Sequence, residues 1–89
     1  MKSLLAAAAV LAGMLFSASQ ASAQTCQSLW VERNSYYKNA GYCFKTARAI
    51  SYFGNAGCRY NNEANVPLSA AARARIDEIT RIERRYGCN

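Results

Sequence analysis

From residue 25 onward, polar and apolar positions recur at steps of three and four, the spacing that puts side chains on one face of a helix. Cys26, Leu29, Trp30, Arg33, Tyr37 and Ala40 form one such stripe, with Thr25 placed to cap its start and Gly41 to stop it. This predicts a first helix over Cys26–Ala40. Tyr42, Cys43 and Phe44 follow as an apolar connector expected to enter the core, since three consecutive apolar side chains should not all face water. Thr46 then caps a predicted second helix, Ala47–Phe53, with Ala49, Ile50 and Phe53 as its inner face and Gly54 as its end. Asn55–Gly57 reads as a turn. Arg59–Pro67 has no periodicity and reads as an ordered loop anchored by Tyr60. Ser69 caps the longest predicted helix, Ala70–Tyr86, with Ala72, Ile76, Ile79, Ile82 and Tyr86 turned inward and Gly87 as its stop. Asp77 and Arg81 are spaced to pair along it. No segment alternates with period two for long enough to form a sheet, so the expected fold is all-α, a small three-helix domain.

The first 23 residues belong to a different pattern. Lys2 precedes an apolar run, Leu4–Phe16, and Ala21-Ser22-Ala23 has the small-x-small form of a cleavage site. The run has 13 residues, whereas a membrane-spanning helix needs about 20. A cleaved signal peptide over 1–23 and a mature domain over 24–89 are expected, and with them a periplasmic or extracellular location. No stable membrane span should remain after cleavage.

A 66-residue domain buries little surface and needs staples. Cys26, Cys43, Cys58 and Cys88 all lie in the mature part, an even number suited to two disulfides in an exported chain. No Cys-x-x-Cys pair and no histidine occur, so neither a metal site nor another cofactor is expected. Of three possible connectivities, the favoured one is nested: Cys43 with Cys58, and Cys26 with Cys88.

Arg33-Asn34, Tyr37, Gly41, Tyr42, Phe44, Tyr52-Phe53 and Tyr60 together resemble the YARHG domain, a short module of exported bacterial proteins. In that family an Arg-Asn pair precedes a Tyr-Ala-Arg-His-Gly signature, then an aromatic and a Phe follow, and a Tyr-Phe closes the next helix. Here the signature reads Tyr37-Lys38-Asn39-Ala40-Gly41, so its arginine and histidine are replaced and no role resting on that histidine carries over. The resemblance implies a helical fold, an exported location and association with the cell envelope.

Candidate chemistry is sparse. Without histidine there is no Ser-His or Cys-His pair. Of the carboxylates, Glu32 and Glu83 are placed to meet across the first and third helices, but so small a domain leaves little room for a cleft between them. A non-enzymatic protein is expected. The mature chain carries ten Lys and Arg against five Asp and Glu, a net charge of +5 once Lys2 is removed. In an exported protein such a field suits anionic envelope polymers, and nucleic acid is an unlikely partner. Arg48, Arg81, Lys38 and an exposed Tyr36 are the candidate binding residues. Trp30, Arg33, Asn34, Tyr37, Gly41, Phe44, Tyr52 and Phe53 are expected to be structural, with Arg33 pairing an internal carbonyl or carboxylate from its place on the apolar stripe. The expected function is a non-catalytic binding module of the bacterial envelope; the alternative is a periplasmic protein-interaction or inhibitor module.

Overall fold

The computed structural model describes residues 25–88, and the expected leader lies outside the described residues. Among the described residues, three helices account for the architecture. The first, α1, is described over 25–39 and already includes Thr25, which is therefore a helical residue and not the cap expected of it. The second, α2, is Ala47–Phe53, opened by Thr46, whose hydroxyl oxygen accepts from the Ala49 amide. The third, α3, is Ala70–Tyr86; the Ser69 hydroxyl oxygen accepts from the Ala72 amide, and Gly87 closes the helix in the left-handed conformation. Within the loop before α3, a short 3-10 turn, Glu63–Asn65, is capped by Asn62.

Both disulfides take the nested pairing, Cys26 with Cys88 and Cys43 with Cys58. The first joins the start of the described part of α1 to the end of α3. Glu32 of α1 meets Arg75 of α3, and Arg33 meets Glu83. Cys26 and Arg33 rise along α1 while their partners, Cys88 and Glu83, descend along α3, so the two helices run antiparallel.

The connector between α1 and α2 enters the core as its apolar run requires, with Cys43 and Phe44 buried. Tyr42 and Tyr60 form a single parallel bridge: the Cys43 amide donates to the Tyr60 carbonyl at 2.8 Å, and the Tyr60 amide to the Gly41 carbonyl at 3.0 Å. Gly41 is required there. Its φ of +93° strains any side chain, and a Cβ would sit 3.4 Å from the Tyr60 ring.

Asn55 supplies what a sheet partner otherwise would. Its side-chain oxygen accepts from the Phe44 amide at 2.7 Å, and its side-chain nitrogen donates to the Phe44 carbonyl at 3.0 Å. Both polar groups of a buried residue's backbone are thereby satisfied. Asn55→Ala is expected to lower the unfolding free energy by about 2 kcal/mol, because it strands two backbone groups beside the core. A urea midpoint unchanged from the parent would contradict this.

Leu29, Phe44, Ala49, Val66, Ile76 and Ile79 form the apolar core with Cys43; Val66 and Ile79 are fully buried. Two expected inner residues, Ile50 and Tyr86, are corrected. Ile50 is 42% exposed because α2 has only two turns, and its buried face follows Ala49 and half-buried Phe53, four residues apart, leaving Ile50 about 100° away. Tyr86 is 53% exposed, beyond the buried stripe of Ile76, Ile79 and Glu83. Tyr52, expected to be structural, is 56% exposed, with ring contacts to Trp30 and Phe53. The expected Asp77–Arg81 pair is also corrected: both residues are exposed, and no ion pair joins them among the described residues.

Candidate functional site: a polar cleft and a basic helix end

The ion pairs decide which charges remain available. Glu83 is the buried charged residue among those described, and it accepts from Nε and Nη2 of Arg33 at 2.8 and 3.1 Å. Arg75 holds Glu32 in the same two-pronged way, at 2.6 and 2.8 Å, and also contacts Glu78. The hydrogen bond from Arg75 holds the Glu32 carboxyl below its ordinary pKa, with a smaller contribution from the Tyr36 hydroxyl. In turn, Glu32 and then Glu78 raise the pKa of the Arg75 guanidinium. Glu32 and Glu83, the carboxylates placed to meet across the helices, are thus each committed to an arginine and form no acid–base pair.

Tyr36 is half-buried and faces this seam, a correction to its expected exposure; it lies four residues after Glu32 and shares its helix face. Lys38 donates to the Gly54 carbonyl at 3.2 Å. Arg48 lies over the Trp30 ring, 3.8 Å from its centroid, and donates to the Gln27 side chain at 2.6 Å. Arg81 alone of the four candidate binding residues is exposed with no such contact among the described residues. No hydrogen bond, ion pair or ring contact joins any two of the four among the described residues, so they do not form one constellation.

Two other groupings emerge. At the end of α3, Arg81, Arg84 and Arg85 are exposed and have no carboxylate partner among the described residues. Their spacing of three and four puts them on neighbouring helix positions, and cations there also complement the negative end of the helix dipole.

The second grouping is a cleft of about 200 Å³ between α1, the Tyr42–Thr46 connector and the 3-10 turn. Arg33, Asn34, Tyr37, Tyr42 and Phe44 line it, together with Trp30, Lys45, Thr46, Ala49 and Glu63. Edge-on ring contacts hold its aromatic wall: Tyr37 with Tyr42 at 5.7 Å and Tyr42 with Phe44 at 5.3 Å, and Phe44 in turn stacks on Phe53 at 5.2 Å. Burial raises the Tyr37 pKa, and a hydrogen bond to Glu63 raises it further, because that bond favours the protonated phenol. Asn34 donates to the Trp30 carbonyl at 2.9 Å, fixing its side chain against α1.

Of the residues that carry the family resemblance, Arg33, Asn34, Tyr37, Tyr42 and Phe44 therefore gather at this cleft, while Gly41 and Tyr60 do not line it. The replaced part of the signature lies elsewhere: Lys38, Asn39 and Ala40 line a separate depression of about 430 Å³ with Gly41, Arg59 and Tyr60. The YARHG domain model matches residues 4–84 of the 89-residue chain. The chain belongs to the YARHG domain family. This is an exported-type domain family, and the two disulfides fit a non-cytoplasmic location. No curated protein and no solved structure matches the chain.

The YARHG fold thus places two groups that sequence reasoning missed. By sequence Lys45 belongs only to a general basic field, and Glu63 to a loop without periodicity. Neither residue type nor spacing distinguished them; both reach the cleft because the Tyr42–Tyr60 bridge lays the connector beside the loop. Among the described residues no helix is long and apolar enough to cross a membrane, and no cluster of potential metal ligands occurs.

Proposed function

We propose that this protein is an exported, non-catalytic binding module of the bacterial cell envelope, working as residues 24–89 after removal of the leader and holding an anionic envelope polymer against its basic surface. The observation that carries this reading is the unpaired arginine group at the end of α3. Of ten mature Lys and Arg residues, Arg33 and Arg75 are neutralised in ion pairs, while Arg81, Arg84 and Arg85 present their charge to solvent together. The disulfide at Cys88 fixes the helix end that carries them. The location in this reading is periplasmic or extracellular.

The test is co-sedimentation of the oxidised protein with purified peptidoglycan sacculi over a salt series. Retention at low salt should fall steeply as salt rises, since exposed charges are screened within about 10 Å at 0.1 M. Replacing Arg81, Arg84 and Arg85 by Gln should weaken retention by roughly tenfold to a hundredfold, given up to about 1 kcal/mol per cation at an anionic surface. No retention at low salt would overturn the proposal.

The exposure of Ile50 and of Tyr52, whose ring meets that of Trp30 edge-on, favours the second reading, an interaction or inhibitor module for another envelope protein. Retention that persists at high salt and is lost in Tyr52→Ala would select it, because an interface anchored by aromatic burial resists screening.

A further inference from the structure

The cleft has a donor surplus that the basic helix end does not explain. Arg33 gives Nε and Nη2 to Glu83, which fixes the guanidinium and leaves Nη1 without a partner among the described residues. Thr46 uses its oxygen as acceptor for the Ala49 amide, and its hydroxyl proton is uncommitted. Lys45 is exposed, lines the cleft, and makes no ion pair or hydrogen bond among the described residues. Against these three donors stands one carboxylate of the wall, Glu63, which already engages the Tyr37 hydroxyl. Asn34 adds one neutral acceptor, since its nitrogen is given to the Trp30 carbonyl. Of the charges on or beside this space, Arg33, Lys45, Arg73 and Arg48, which lies over the Trp30 ring, outnumber Glu63 and Glu83 by two.

We infer that the cleft is a binding site for the carboxylate of a small envelope building block, held by Lys45, Thr46 and the free edge of Arg33, with its body against Tyr42 and Phe44. A carboxylate accepts from several donors at once, and a guanidinium already held on one edge is an oriented donor rather than a mobile one. The volume, about 200 Å³, lies below that of pockets for drug-sized ligands, so the cleft takes one terminal unit and not a run of polymer. Two sources carry this chemistry: the terminal carboxylate of a short peptide, and the acid group of a sugar. The site is separate from Arg81, Arg84 and Arg85 and stands without the polymer-binding proposal.

The experiment uses the oxidised protein and its single tryptophan, Trp30, which lines the cleft and reports on it by fluorescence. The probes are N-acetylalanylalanine, its C-terminal amide, glucuronic acid and its methyl ester, each titrated to millimolar concentration, with calorimetry as a second readout. At least one free acid should change the Trp30 emission saturably while its neutral counterpart does not. The acid that binds identifies the source, peptide or sugar. Lys45→Gln should weaken that binding about tenfold and Lys45→Arg should restore most of it; Lys45 is exposed, so neither change disturbs the core. The variant lacking Arg81, Arg84 and Arg85 should bind the acid like the parent, which separates failure here from failure of polymer binding. Binding of neither acid, equal binding of acid and neutral form, or insensitivity to Lys45→Gln would overturn the assignment.

Discussion

Replacing Cys26 and Cys88 by Ser is expected to remove about 4 kcal/mol of stability, by the chain-entropy model for a loop closed across 62 residues. The Cys43–Cys58 loop, 15 residues, contributes about 3 kcal/mol on the same basis. A domain of this size has roughly 3–10 kcal/mol of net stability, so reduction of both disulfides should leave it largely unfolded. The outer disulfide has the further task of closing α3. The Cys88 amide donates to the Glu83 carbonyl at 2.8 Å, so the bond is anchored in the last helical turn. Freeing Cys88 should fray that turn and loosen Arg84 and Arg85 with it. Urea unfolding under non-reducing conditions checks this: the variant should lose most of the parent's midpoint, and an unchanged midpoint would refute the account.

The helices were legible because their punctuation is local. Thr46 and Ser69 cap, Gly41 and Gly87 stop, and the apolar stripe of α3 delivers Ile76 and Ile79 to the core. The nested disulfides followed from the same layout, since a short middle clip and a tie between chain ends suit three consecutive helices. What was not legible depends on partners distant in sequence. Periodicity assigns Tyr36 to the outside of α1, but cannot show that the outside of α1 at that level is the seam with Arg75 of α3. It assigns Tyr86 to the inner stripe of α3, but the buried stripe ends at Glu83 and the chain beyond is tied to α1 by the disulfide. The cleft was hidden for a related reason. Its wall combines helix residues, which have a period, with Lys45 and Glu63, which have none, and only the bridge between Tyr42 and Tyr60 brings them together.

The Arg33–Glu83 pair should show the second large effect, and an asymmetric one. Side-chain exposure is 29% for Arg33 and 11% for Glu83, so the carboxylate is the more deeply held partner. Breaking a fully buried pair costs about 3–5 kcal/mol, mainly because one charge is left unpaired; partial exposure here lowers the expectation to about 2–3 kcal/mol. Arg33→Met leaves the buried carboxylate unpaired and should lie at the upper end. Glu83→Leu should cost less, because the long arginine side chain reaches solvent with its charged end. The double replacement Arg33→Met with Glu83→Leu removes both charges at once and should recover at least half of the loss from Arg33→Met alone. A double-mutant cycle by urea unfolding measures the coupling, and simple additivity of the two losses would show that the pair is not an interacting unit.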